Sequence, residues 1–341
     1  VTAISRMPER DAAIAAFLRR AGWGAARRGK LAGDASFRRY DRLQMNGTTA
    51  VLMDAPPPQE DVRPFLRVAR LLHGLGLSAP RILAEDVAAG LLLLEDFGDL
   101  TYTRLLLEGA DEDRLYQLAI DLLVELHRAP PPNADSGIPP YDDARLLTEA
   151  GLLVDWYLPA ISGEPTPPAL REEYLEIWRG VLPVARAVPE RLVLRDFHVD
   201  NLMLLDERDG VAACGLLDFQ DAVVGPVTYD LVSLLEDARR DVPAPLAAAM
   251  TERYLAASPA LDRGAFEASY AVMGAQRNAK IVGIFTRLCV RDGKPHYLHH
   301  IPRVWRLLEQ DLRHKALAPV KAWLDRHIPT ADRRIPPCET K

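Results

Sequence analysis

The chain offers very little sulfur chemistry. Its 341 residues include three cysteines, Cys214, Cys289 and Cys338, which are widely spaced, odd in number and without C-x-x-C spacing. Neither a disulfide framework nor a zinc site is expected from them, and all three read as reduced thiols. Long apolar runs are also missing. The leucines at 91–94 fall far short of the roughly 18 residues that a membrane helix needs, so no membrane partner is expected. The N-terminal stretch carries Glu9, Arg10 and Asp11 where a secretion signal needs its apolar segment, and a cytoplasmic location is the resulting expectation. There is no excess of basic residues: 42 Lys and Arg against 48 Asp and Glu leave a formal charge of −6, and nucleic acid is not an expected partner. Internal repeats and long low-complexity tracts are absent as well.

What remains is a composition of 48% hydrophobic and 26% charged residues, that of a packed globular protein. A chain of this length exceeds what one core usually supports, so two lobes sharing a cleft are expected. Residues 8–21 place Ile14, Phe17 and Leu18 at helical spacing. From 30 to 54 the pattern suits extended segments, and Asn46-Gly47 supplies the positive φ of a tight hairpin turn. After Pro56-Pro57-Pro58 a helix is expected around 65–75, and a second hairpin over 81–84 and 91–95. Beyond Asp99 the pattern turns helical, with helices expected at 111–129, 143–158, 168–186, 227–238, 245–257, 264–291 and 301–326. Between them lie short extended pieces at 192–194, 202–205 and 211–218. The fold class is therefore α+β: a small antiparallel sheet lobe with a helix, then a larger, mainly helical lobe.

The densest chemistry lies in 192–205, Leu-Val-Leu-Arg195-Asp196-Phe-His198-Val-Asp200-Asn201-Leu-Met-Leu-Leu, a polar loop between apolar strands. Seventeen residues after Asn201 stands Asp218, at the end of another apolar strand. Phosphoryl transfer needs such a set, because its transition state calls for positioning and charge neutralisation more than for covalent help from the protein. Asp196 suits the base that takes the acceptor proton. Asn201 and Asp218, both hard oxygen donors, suit Mg2+.

Asp196-x4-Asn201 followed by Leu217-Asp218-Phe219 resembles the catalytic and metal-binding loops of the aminoglycoside phosphotransferase and choline kinase superfamily. The resemblance extends over most of the chain and implies a protein-kinase-like two-lobed fold using ATP and Mg2+. Gly225-Pro226-Val-Thr-Tyr-Asp230 is similar to the superfamily's following segment, which makes Asp230 a structural brace for the catalytic loop. Four stretches, 31–40, 51–58, 194–201 and 276–285, look closest to the anomeric kinases that phosphorylate N-acetylmuramate and N-acetylglucosamine at the C1 hydroxyl in bacterial cell-wall recycling. An amino sugar is thus the implied small-molecule partner. Residues 1–97 would form the nucleotide-binding lobe, 98–330 the catalytic and acceptor-binding lobe, and 331–341 a tail. Gly33, Asp34 and Ser36 fall where a hairpin should fold over the phosphates, and Glu95, Asp96 and Phe97 where the adenine should lie. Arg195, His198, Asp200, Gln276, Arg277 and Lys280 are candidate acceptor contacts, with Arg277 able to pair a lactyl carboxylate. For Gln276, Arg277 and Lys280 the alternative is a solvated helix face. Trp156 and Tyr157 are either a platform for the sugar ring or core.

Two positions depart from the superfamily pattern. Leu194 stands where a histidine usually braces the loop, and Met53 where a strand lysine usually reaches the phosphates; either Arg38 or Arg39 supplies the charge instead, which is the favoured expectation, or magnesium and backbone amides do more of the neutralising. The alternatives are a kinase of another small acceptor, such as an aminoglycoside, choline or another alcohol or amine, and a catalytically silent nucleotide-binding relative.

Overall fold

The computed structural model describes residues 7–31 and 37–337. Gly33, Asp34, Ser36 and Cys338 lie outside the described residues. The chain divides into two compact units, Val1–Asp111 with Asp200–Asp221, and Glu112–Val199 with Ala222–Lys341.

In the first unit, helix α1 (Met7–Arg20) precedes strands β1 (Arg27–Lys30), β2 (Arg39–Met45) and β3 (Thr48–Asp54). Asn46 and Gly47, at φ 50° and 79°, make the two-residue turn between β2 and β3, because a tight hairpin needs left-handed backbone at both central positions. Helix α2 (Arg63–Gly74) follows the prolines, then β4 (Ile82–Asp86) and β5 (Leu91–Glu95). The five strands pair antiparallel in the order β1-β2-β3-β5-β4. Side chains alternate across the sheet, so Ala50, Leu52, Leu91 and Leu93 share one face, where Ile14, Phe17 and Leu18 of α1 cover them. Met53 belongs to the opposite face. Helix α3 (Tyr102–Leu107) was not expected; six residues carry no readable period, and the Thr101 side chain caps it by accepting from the Arg104 N–H.

The second unit begins with α4 (Glu112–Arg128), whose buried stripe includes Leu115, Ala119, Leu122, Leu123 and Leu126. It continues through α5 (Asp143–Leu152), a π turn at Leu153–Tyr157, α6 (Leu158–Ser162), α7 (Pro168–Ala185) and β6 (Glu190–Val193). The chain then returns to the first unit as the hairpin β7 (Leu202–Leu204) and β8 (Cys214–Leu216). Strand β9 (Val223–Pro226) re-enters the second unit antiparallel to β6 and leads into α8 (Thr228–Leu235), α9 (Ala244–Ala257) and α10 (Arg263–Val290). The 28-residue α10 is the axis of this unit, with α5, α7, α8 and α11 (Ile301–Asp311) packed on it. Its core gathers Trp178, Trp305 and Trp323 around the apolar face of α10.

Two expectations are corrected and one element is added. The helix expected over 301–326 breaks after α11 and resumes as α12 (Ala318–His327), where Pro319 in the first turn lacks the N–H that an unbroken helix would use. Residues 223–226 form a strand, although a Gly-Pro end hid it. Cys289 is disulfide-bonded, against the reading of reduced thiols, whereas Cys214 is free and buried. Among the described residues no helix is long and apolar enough to cross a membrane.

Candidate active site

In the first unit the β7–β8 register sets Leu202 opposite Leu216, and the Leu217 N–H donates to the Asn201 carbonyl at 2.9 Å. Asn201 and Asp218 therefore leave the same end of one hairpin. That hairpin is fixed from outside by the Leu204 N–H on the Leu100 carbonyl, 2.9 Å, and the Leu216 N–H on the Ser78 carbonyl, 2.8 Å. The Asp218 side chain is 32% exposed, and its Oδ1 accepts from the Gln220 amide at 2.7 Å. The same Oδ1 lies 3.7 Å from Arg38 Nη1, while Arg38 Nε lies 3.5 Å from Glu60 Oε2. Of the two arginines considered as lysine substitutes, Arg38 is thus the one beside Asp218. Arg39 is exposed at the start of β2, and Met53 is buried. Asp200 accepts from the Thr103 hydroxyl of α3.

Residues 95–97 are bound into the same unit. Glu95 pairs with Arg208 at 2.5 Å and Arg81 at 3.2 Å, and Asp96 pairs with Arg42 at 2.8 Å. Phe97 lies under the Arg208 guanidinium, 5.1 Å from its ring centre, and against Gly215. A Cβ at 215 would stand 3.0 Å from the Phe97 ring, so glycine is what lets the ring lie on the hairpin.

In the second unit Asp230 is fully buried at the first turn of α8 and accepts the N–H groups of Leu194 at 2.6 Å and Arg195 at 2.9 Å. Those two bonds hold the main chain of the loop at Leu194 and Arg195. Burial pushes the Asp230 carboxyl up to about 7, with the two main-chain donors opposing it. Arg195 has φ 72°, and its guanidinium meets Glu149 of α5 and lies over the Tyr141 ring. Glu149 also accepts from the Tyr141 hydroxyl and pairs with Lys280 of α10 at 3.2 Å; Lys280 reaches the Tyr229 hydroxyl, also at 3.2 Å. Burial raises the Glu149 carboxyl, but Lys280, Arg195 and the Tyr141 hydroxyl outweigh it and hold the group below its ordinary value. Two cations thus share one carboxylate in the chain segment next to Asp196.

Asp196 itself is half-buried; its N–H donates to the Leu194 carbonyl at 2.9 Å, and its carbonyl accepts from the His198 N–H at 3.2 Å. The His198 side chain is buried. Gln276 and Arg277 are buried too, so the solvated-face alternative does not hold for them. Gln276 donates to the Leu146 carbonyl at 2.9 Å, and Arg277 to Ser233 Oγ at 3.0 Å and the Glu236 carbonyl at 3.3 Å. Tyr157 is core, with its hydroxyl on the carbonyls of Asp332 and Arg334.

Three non-glycine residues among those described have positive φ: Asn46 in its hairpin, Arg195 and Asp218. Two of the three belong to the loops singled out for chemistry, and left-handed backbone at such residues persists only where surrounding bonds enforce it. Sequence reasoning missed Glu60, Glu149, Tyr141, Tyr229 and Gln220. Tyr229 stands in the 225–230 motif without being singled out by it, the triple proline marks the neighbourhood of Glu60, and the other three carry no such signal. Among the described residues no group of three or more His, Cys, Asp or Glu gathers as a metal cage. The donors at the hairpin end are one carboxylate and one amide oxygen, which fits a hard cation that keeps water and phosphate among its ligands.

The profile of the phosphotransferase enzyme family (APH) matches residues 29–266. An N-acetylmuramate/N-acetylglucosamine kinase of Caulobacter vibrioides is 42% identical, over 96% of this chain and 99% of its own. One of Pseudomonas aeruginosa is 41% identical, over 84% and 85%. Among solved structures, a choline/ethanolamine kinase family protein from Mesorhizobium loti superposes with a TM-score of 0.61 at 14% identity, over 93% of this chain and 99% of that one. Aminoglycoside phosphotransferase APH(2'')-Ib, solved with ADP, gives 0.55 at 17% identity, over 83% and 92%. The fold is accordingly α+β and kinase-like, and the chain belongs to the phosphotransferase enzyme family.

Proposed function

We propose that this enzyme transfers the γ-phosphoryl group of ATP to the anomeric C1 hydroxyl of N-acetylmuramate or N-acetylglucosamine, releasing ADP and a sugar 1-phosphate in the cytoplasm. The observation that carries the reading is the 42% identity to a kinase of those two sugars along nearly the whole of both chains. The sheet unit takes the nucleotide. The side chains of Glu95 and Asp96 are held by arginines, so the adenine would meet main-chain groups of residues 96–97, with Phe97 as an apolar wall. Asn201 and Asp218 would hold magnesium, which when bound neutralises the β- and γ-phosphates. Arg38 adds a positive charge from the same unit. In the helical unit Asp196 orients the C1 hydroxyl and takes its proton as the sugar oxygen bonds to phosphorus and the bond to the ADP oxygen breaks. Asp230 and Glu149 hold the main chain and the side chain of Arg195, which fixes where Asp196 stands.

Arg195 and Lys280, two cations on one carboxylate, favour an acceptor that is neutral or carries a carboxylate of its own over a cationic drug. Gln276 and Arg277 frame this corner from within. His198 and Asp200 belong to the loop that the sugar approaches. Phosphorus NMR of products formed from ATP, Mg2+ and each sugar is the test. A resonance coupled to the anomeric proton is expected, whereas a 6-phosphate, or no sugar phosphate with either acceptor, would refute the assignment.

A further inference from the structure

One arginine of the first unit gathers three segments that lie far apart in sequence. Arg208 stands in the loop between β7 and β8, the hairpin whose opposite end carries Asn201 and Asp218. Its Nη1 donates to Ser78 Oγ at 2.8 Å and its Nη2 to Glu95 Oε1 at 2.5 Å, while the guanidinium lies over the Phe97 ring, 5.1 Å from its centre. A planar fork of donors suits such a meeting point better than a lysine would. The segment before β4 is on the hairpin even without Arg208: Ser78 Oγ donates to the Ala212 carbonyl at 2.6 Å, and the Ser78 carbonyl accepts the Leu216 N–H at 2.8 Å. The end of β5 is different. Glu95 Oε2 is held from the start of β4, by the Arg81 N–H at 3.1 Å and Arg81 Nε at 3.2 Å, so Oε1 is the oxygen that reaches across to the hairpin.

We infer that Arg208 is a positioning residue for the nucleotide: it sets the span between residues 96–97, where the adenine would lie, and the hairpin end at Asn201 and Asp218, where the metal-bound phosphates would lie. The inference rests on the phosphotransfer reading and deepens it. ATP is then a two-headed ligand. Binding at one end turns binding at the other into an intramolecular step, and that advantage holds only while the two subsites keep the separation of the ligand's own ends. Leu100, whose carbonyl accepts the Leu204 N–H at 2.9 Å, fixes the far side of the 96–97 segment to the hairpin, and Arg208 fixes the side nearer the sheet. Phe97 on Gly215 adds an apolar tie, but a ring on a glycine can slide, whereas paired donors on Glu95 and Ser78 set direction as well as distance. Loss of Arg208 leaves Glu95 on Arg81 and Ser78 on Ala212, so each subsite keeps its shape while the distance between them is freed.

The test is equilibrium binding to the full chain, by calorimetry, of three probes: adenosine, inorganic tripolyphosphate with Mg2+, and a non-hydrolysable ATP analogue with Mg2+. Arg208→Met is expected to weaken the analogue about tenfold and to leave adenosine and tripolyphosphate within about twofold of the native chain. Glu95→Gln, which keeps an oxygen for Arg208, should cost the analogue about threefold. Combined with Arg208→Met it should add little, because both changes break one tie. In steady state the Michaelis constant for ATP should rise in Arg208→Met while that for the sugar does not. If Arg208→Met fails to fold, Arg208→Lys carries the test: one ammonium cannot hold Ser78 and Glu95 in fixed directions, and an intermediate loss on the analogue alone is expected. A parallel loss on all three probes would make Arg208 a merely structural residue and overturn the inference, as would fully additive losses in the double variant. A native chain that binds no analogue would refute the phosphotransfer reading and this inference together. A native chain that binds it, with Arg208→Met unchanged, would refute the inference alone.

Discussion

Asp218 and Asp230 are two carboxylates, each close to a loop that carries the chemistry, and their surroundings differ in kind. Asp218 is about one-third exposed, with Arg38 3.7 Å away and the Gln220 amide donating to it at 2.7 Å. Asp230 is fully buried, and both of its oxygens are taken by main-chain N–H groups of the loop it supports. The first keeps about a third of its side chain open to a ligand; the second cannot change partners cheaply, because a buried N–H left unpaired is costly. Arg195 belongs with the fixed groups, in contact with a Glu149 that Lys280 and Tyr141 also hold. The carboxylate proposed to admit a ligand is partly open to solvent, whereas the one that keeps a geometry is fully buried and bonded at both oxygens.

The largest effect expected from this contrast is at Asp218. Asp218→Ala should abolish magnesium-dependent nucleotide binding and turnover while leaving the urea midpoint within a small margin of the native chain, measured by calorimetry and circular dichroism. A large loss of stability would place Asp218 with the fixed groups. Asp230→Ala should do the reverse, lowering unfolding free energy by about 2–4 kcal/mol because two buried N–H groups lose their acceptor. Urea denaturation reads that loss, and an unchanged midpoint would break the comparison.

Smaller and more selective is Lys280→Met. The Michaelis constant for N-acetylmuramate should rise about tenfold, the scale of one charge-assisted contact, with that for N-acetylglucosamine nearly unchanged. Equal losses on both sugars would make Lys280 a purely structural partner of Glu149. The smallest effect concerns pH. Burial raises the Glu236 carboxyl from 4.5 to about 7, and burial together with Glu236 raises Asp311, while Asn278 bridges the two acids and Arg277 lies close. Between those two values the folded chain holds a proton that the unfolded chain has released. The contribution of this pair is therefore fully present below 4.5 and is lost as pH climbs through about 7. Thermal midpoints should decline over that window, and Glu236→Gln should flatten the decline.

Much of this was legible because it is local. Asn46-Gly47 specifies its own turn, the spacing of Ile14, Phe17 and Leu18 specifies the buried face of α1, and Asp196-x4-Asn201 with Asp218 specifies a chemistry through residue type alone. Asp230 was legible only through resemblance, since its partners are main-chain groups far along the chain. Glu60 and Glu149 could not be read in advance. Each is an ordinary acid in its own segment, and its meaning comes from arginines that tertiary packing brings to it. Burial of Gln276 and Arg277 escaped for the same reason: a polar pair on a helix looks solvated until α5 and α8 are found packed against it.

The division of labour itself is tested most directly by Asp196→Asn, with turnover and nucleotide affinity measured on the same preparation. Turnover should fall by about 10²–10⁴-fold while affinity for the magnesium–nucleotide pair stays near the native value. A turnover loss below tenfold, or a parallel loss of nucleotide affinity, would contradict the assignment of Asp196 as the base.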